Sequence, residues 1–106
     1  MSLDLAEARE RMRRIPVSMA NDLMTLDPDE IEEGYRDARE GLPCGDNRSR
    51  AYWHGWRTGM MDAGKLPQDA FSAALVKDVL RMSGDPAAFA AKHREQFAWL
   101  QQMGLA

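Results

Sequence analysis

The sequence predicts an all-α fold of four or five helices, and three observations carry that expectation. Apolar residues recur at spacings of three and four in several stretches, as on one face of a helix. Two Asp-Pro pairs, Asp27-Pro28 and Asp85-Pro86, are helix-start signals, because aspartate caps the first free N–H groups and proline fits the first helical position. No stretch alternates with period two for long enough to make a strand. The 106 residues suit one domain, 1–106, able to bury roughly 60–70% of its unfolded surface. Within it the punctuation marks an N-terminal helical segment (1–26), a helical hairpin (30–63) and a C-terminal helical pair (68–103).

Ser2 caps a first helix that runs to about Arg14, where Ile15-Pro16 breaks it. Ser18 to Leu26 reads as a short helix or turn, with Met19, Leu23, Met24 and Leu26 packing inward. Asp27, Pro28 and Glu30 make a capping box for the next helix, in which Ile31, Tyr35 and Ala38 share a face and Gly41 is the C-cap. Leu42 to Asn47 is a loop by composition. A further helix should start near Asn47 and end at Ala63-Gly64, with Trp53, Trp56, Met60 and Ala63 on its inward face. After Leu66-Pro67, the residues Phe71, Ala74, Leu75, Val79 and Met82 set a third stripe that Ser83-Gly84 ends. The last helix carries Phe89, His93, Phe97 and Leu100 as its main stripe, with Trp99 and Met103 on a second ridge.

Composition narrows the function classes. The lone Cys44 permits no intrachain disulfide and no multi-cysteine metal site, and is the usage of a reducing cytoplasm. No uncharged run approaches the length of a membrane span, so a membrane partner is not expected. His54 and His93 lack metal-binding spacing, and each reads first as a structural residue. Gly41 and Gly45 lack the glycine-lysine pattern of a phosphate loop. We therefore expect no enzyme activity, no catalytic residues, no metal and no cofactor. Charge is uneven. Residues 1–33 hold nine acids against four arginines, whereas residues 34–65 hold six bases against four acids.

The most informative elements are Gly34-Tyr35 and Trp53-His54-Gly55-Trp56-Arg57. Glycine inside a helix costs about 1 kcal/mol relative to alanine. A chain tolerates that where a second backbone or a large ring must come close. Gly34, Tyr35, Gly55 and Trp56 are thus the expected structural crossing of the hairpin. Around it, Arg36, Arg48, Arg50 and Arg57 with Tyr52 and Trp53 have the chemistry of an RNA surface, guanidinium groups for phosphates and rings for unpaired bases. The other reading of the same residues is a core of tryptophans with ordinary surface arginines. Trp99, Leu100 and Met103 are the candidate protein interface, suited to a homodimer.

The order Gly34-Tyr35, Ala38, Gly41, Cys44, Arg48, Trp53, Gly55-Trp56-Arg57 resembles the ribosome modulation factor family of small bacterial proteins, over about Glu33 to Ala63. The resemblance implies a regulator that binds the small ribosomal subunit near the message path and gives paired, inactive ribosomes in starved cells. The family's basic tail is absent here, and Cys44 is followed by Gly45-Asp46 rather than by proline and an aromatic. Two functions follow as expectations: a non-enzymatic ribosome- or rRNA-binding regulator, or a protein-interaction module, phage-derived or homodimeric, on the same scaffold. Exposure separates them. An arginine face around an open ring favours RNA, and an exposed Trp99, Leu100 and Met103 ridge favours protein.

Overall fold

The computed structural model describes residues 14–106, which form five helices and no strand. The expected helix from Ser2 to Arg14 lies outside the described residues, apart from Arg14 itself. The helices are α1 (Ala20–Leu23), α2 (Pro28–Arg39), α3 (Arg50–Asp62), α4 (Ala70–Ser83) and α5 (Pro86–Gln102). The all-α class is as the sequence predicts. No described helix is long and apolar enough to cross a membrane.

Aspartates and a serine set the helix starts. Asp27 accepts from the Asp29 N–H at 2.9 Å, and Asp85 from the Ala87 N–H at 3.0 Å, each with proline as first helical residue. Ser49, not Asn47, caps α3, its hydroxyl accepting from the Tyr52 N–H at 3.1 Å. Asn47 instead takes a left-handed turn at φ 60°, a conformation that asparagine tolerates better than most residues. Asp69 caps α4 through the Ser72 N–H at 2.8 Å, and Gly84 ends it at φ 68°. The first N–H of α1, from Ala20, donates across the fold to Asp78 on α4 at 2.7 Å.

α2 and α3 cross at their glycines. A Cβ on Gly55 would lie 2.7 Å from the Ile31 carbonyl carbon and closer still to its oxygen. One on Gly34 would meet the Tyr52 carbonyl and lie 2.9 Å from the Trp56 nitrogen. One on Gly59 would stand 2.7 Å from the Tyr35 oxygen. Backbone therefore touches backbone, and this corrects the expected inward face of α3. Ala51, Tyr52, His54, Gly55, Gly59 and Met61 are buried, whereas Trp53, Trp56 and Met60 are half-buried and Ala63 is exposed. With small residues at the contact, the large rings have no room between the axes and cover its flanks instead.

α1, α4 and α5 complete the fold around Ala20, Met24 and Phe89, with Leu23 and Val79 packed against them. Met19, expected inside, is exposed. On α4 only Leu75 is buried and Val79 half-buried, so the stripe expected to include Phe71, Ala74 and Met82 is narrower than its spacing suggests. α5 buries Phe89, His93 and Phe97 and half-buries Leu100.

Candidate functional site

Three of the four hairpin arginines expected to meet phosphate, Arg48, Arg50 and Arg57, are tied within the fold. Arg50 makes a paired contact with Asp22, at 2.8 and 2.6 Å, and its Nε donates to the Ile15 carbonyl at 2.9 Å. The guanidinium holds the Asp22 carboxyl below its ordinary range. Arg57 pairs with Asp69, the cap of α4, and stacks over Trp53 at 4.9 Å. The Asp69 carboxyl is likewise lowered, first by the Ser72 N–H it accepts. Arg48 bonds Glu33 at 3.0 Å, stands 3.6 Å from Asp37, and covers the Tyr52 ring at 3.8 Å. Arg36 is exposed.

The rings are similarly engaged. Tyr52 is buried and donates its hydroxyl to Asp37 at 2.6 Å, while burial and that carboxylate push its phenol up. It offers no open face to a base, contrary to the stacking role expected from its neighbours. Trp53 is half-buried beneath Arg57. Trp56 is half-buried and donates its indole N–H to the Leu42 carbonyl at 2.9 Å, fastening the loop to α3. Tyr35 donates to Asp62 at 2.8 Å across the crossing. Gly34 and Gly55 occupy the crossing itself.

The candidate protein ridge stands open. Trp99 is 53% and Met103 59% exposed, with Leu100 half-buried beside them. Ala88, Lys92, Glu95 and Trp99 follow one another on α5 at spacings of four, three and four, and all are exposed. This is a face distinct from Phe89, His93 and Phe97. Next to it, Met24, which caps the end of α1, and Met82 from α4 join Trp99 around a groove of about 590 Å³.

A second concavity was not legible in the sequence. α2, α3 and α5 enclose a cleft of about 290 Å³ with buried His54, Gly55, Phe89 and His93 at its base. His54 lies on α3 and His93 on α5, so no spacing rule links them; only tertiary packing does. Burial, and then the nearby Arg57 and Arg50 charges, push His54 down to about 4. Burial also lowers His93, whose Nε2 donates to the Leu26 carbonyl at 2.7 Å. At the rim, Arg94 joins Asp29 at 2.6 Å and Glu32 at 2.8 Å. Among the described residues, no group of three or more His, Cys, Asp or Glu could hold a metal ion.

Compared with protein families, curated proteins and solved structures, the chain has no significant match.

Proposed function

We propose that this chain is a protein-interaction module that pairs with a second copy of itself through the outer face of α5. The observation that carries the reading is the self-complementarity of that exposed face. In an antiparallel pairing about a twofold axis midway along the stripe, Lys92 lies opposite Glu95 of the second copy, and Glu95 opposite its Lys92. Trp99 then lies over Ala88, a large ring against a small residue. Such reciprocity is what an isologous interface requires, and spacings of four and three are those of an antiparallel helix seam. Exposed Met82 and Met103 add adaptable apolar area on either side.

The ribosome- or rRNA-binding reading finds less support. Arg48, Arg50 and Arg57 already hold carboxylates, and a phosphate would have to displace those partners before counterion release could favour binding.

Sedimentation equilibrium over a concentration series tests the proposal. Lys92→Glu and Glu95→Lys should each weaken self-association by about tenfold or more, since like charges placed opposite one another are repulsive, and the double swap should restore it. A protein that stays monomeric at every concentration would overturn it. Salt-sensitive co-sedimentation of that monomer with ribosomes would transfer the assignment to rRNA.

A further inference from the structure

The cleft between α2, α3 and α5 has chemistry that self-association does not use. Its volume of about 290 Å³ lies near the lower bound of small-molecule pockets. An apolar cavity of about 150 Å³ accepts a benzene ring, so this one accommodates one or two fused rings and is too small for a peptide segment. Leu23, Ile31 and Phe89 make apolar walls, and the Phe89 and His93 rings lie 6.3 Å apart at 53°, an arrangement that suits an aromatic guest.

The polar groups restrict that guest further. Glu32 and Arg94 at the rim are paired, so no charge is left to neutralise an ionic ligand, and burying an unpaired charge is costly. Burial disfavours the charged form of both imidazoles. His93 donates through Nε2 to Leu26, which leaves Nδ1 as an acceptor. His54 is 8% exposed, and neither of its ring nitrogens bonds another described residue. A buried imidazole without a partner is a group that a ligand can satisfy.

We propose that this cleft binds a small neutral aromatic molecule bearing one hydrogen-bond donor, of the phenol or indole class, with the donor directed to a histidine nitrogen. The gain is one buried hydrogen bond added to aromatic burial.

Indole and p-cresol are the probes, titrated calorimetrically into the full chain at neutral pH while imidazole nitrogen resonances are followed by NMR. Saturable one-to-one binding with shifted His54 or His93 nitrogens is expected. Wild type should prefer p-cresol over toluene, which lacks the donor, by about fivefold. His54→Leu should narrow that preference if His54 is the acceptor, with the His93 nitrogen shift marking the alternative. Ala90 is exposed at the mouth, and Ala90→Leu obstructs the cleft while keeping a good helix former. It should weaken both aromatic ligands by about tenfold with an unchanged helical spectrum. Absence of saturable binding, equal binding by Ala90→Leu, or binding without any histidine shift would each overturn the proposal. The cleft and the Lys92–Glu95 stripe lie on different faces of α5, so a monomeric result in sedimentation leaves this test intact.

Discussion

Replacing Gly55 by alanine sets two effects of opposite sign against each other, and the structure decides between them. Alanine is the better helix former, and at an open position the change would stabilise by about 1 kcal/mol. At Gly55 the new methyl meets the Ile31 carbonyl, with its carbon at 2.7 Å and its Cα at 2.9 Å. Those atoms are backbone within α2 and cannot rotate away as a side-chain end would. The helices must separate, and the same crossing is shared by Gly34 and Gly59, so their contacts loosen too. Overpacking usually costs about 1–3 kcal/mol and occasionally more; backbone against backbone puts this contact at about 3–4 kcal/mol, which leaves a net loss of about 2–3 kcal/mol after the propensity gain of about 1 kcal/mol. For a domain of this size that loss lowers Tm by roughly 10–20 °C. Thermal melting followed by circular dichroism, with urea titration as a second measure, reads the effect directly. A Gly55→Ala protein as stable as wild type would refute the backbone-to-backbone crossing.

Two further outcomes follow from ionisable groups held within the fold, buried His54 and half-buried Arg50. His54 faces Asp22, Arg50, Arg57 and His93, and its folded pKa of about 4 lies below the ordinary 6.5. The unfolded chain therefore takes up the proton first, so stability is full above about pH 6.5 and falls as pH drops towards 4, by an amount on the order of 3 kcal/mol from His54 alone. Urea midpoints across that window should fall for wild type and much less for His54→Leu; a flat wild-type profile would contradict the burial of a neutral imidazole. Arg50→Ala removes two bonds to Asp22 and one to the Ile15 carbonyl, and should cost about 1–2 kcal/mol in urea unfolding. A change within error would mean that solvent screens the pair completely.

The helix starts were legible because their chemistry is local. Asp27-Pro28 and Asp85-Pro86 satisfy N–H groups two residues away, and no tertiary contact is needed to recognise them. The glycine crossing was legible for a related reason, since glycine in a helix has a cost that only close approach explains. Which rings that crossing excluded was not. Trp53 and Trp56 stand at helical spacing, but the glycines bring the axes too near for them, and the inward face turns to Tyr52, His54 and Met61. α4 misled in the same way: its spacing placed Phe71 and Met82 with Leu75, yet both lie near half exposed. Periodicity defines an apolar stripe, while the neighbouring elements determine how much of it they cover.

Charge was the least legible property, because counting along the chain ignores where partners fold. The basic balance of residues 34–65 depends on arginines whose carboxylates lie largely outside that stretch: Asp22 for Arg50, Glu33 for Arg48, Asp69 for Arg57. Each pair also joins two segments, α1 to α3, α2 to the start of α3, and α3 to the cap of α4. Folding thus uses these arginines as cross-links, and their charge is met before any external anion arrives. The outer stripe of α5 differs in kind. Lys92 and Glu95 have no carboxylate or guanidinium bound to them among the described residues, and Trp99 has no ring beside it. Contacts within the fold engage Arg48, Arg50 and Arg57, the groups that composition made conspicuous, whereas the less conspicuous stripe carries no such contact among the described residues, and that is why the proposed pairing is placed there.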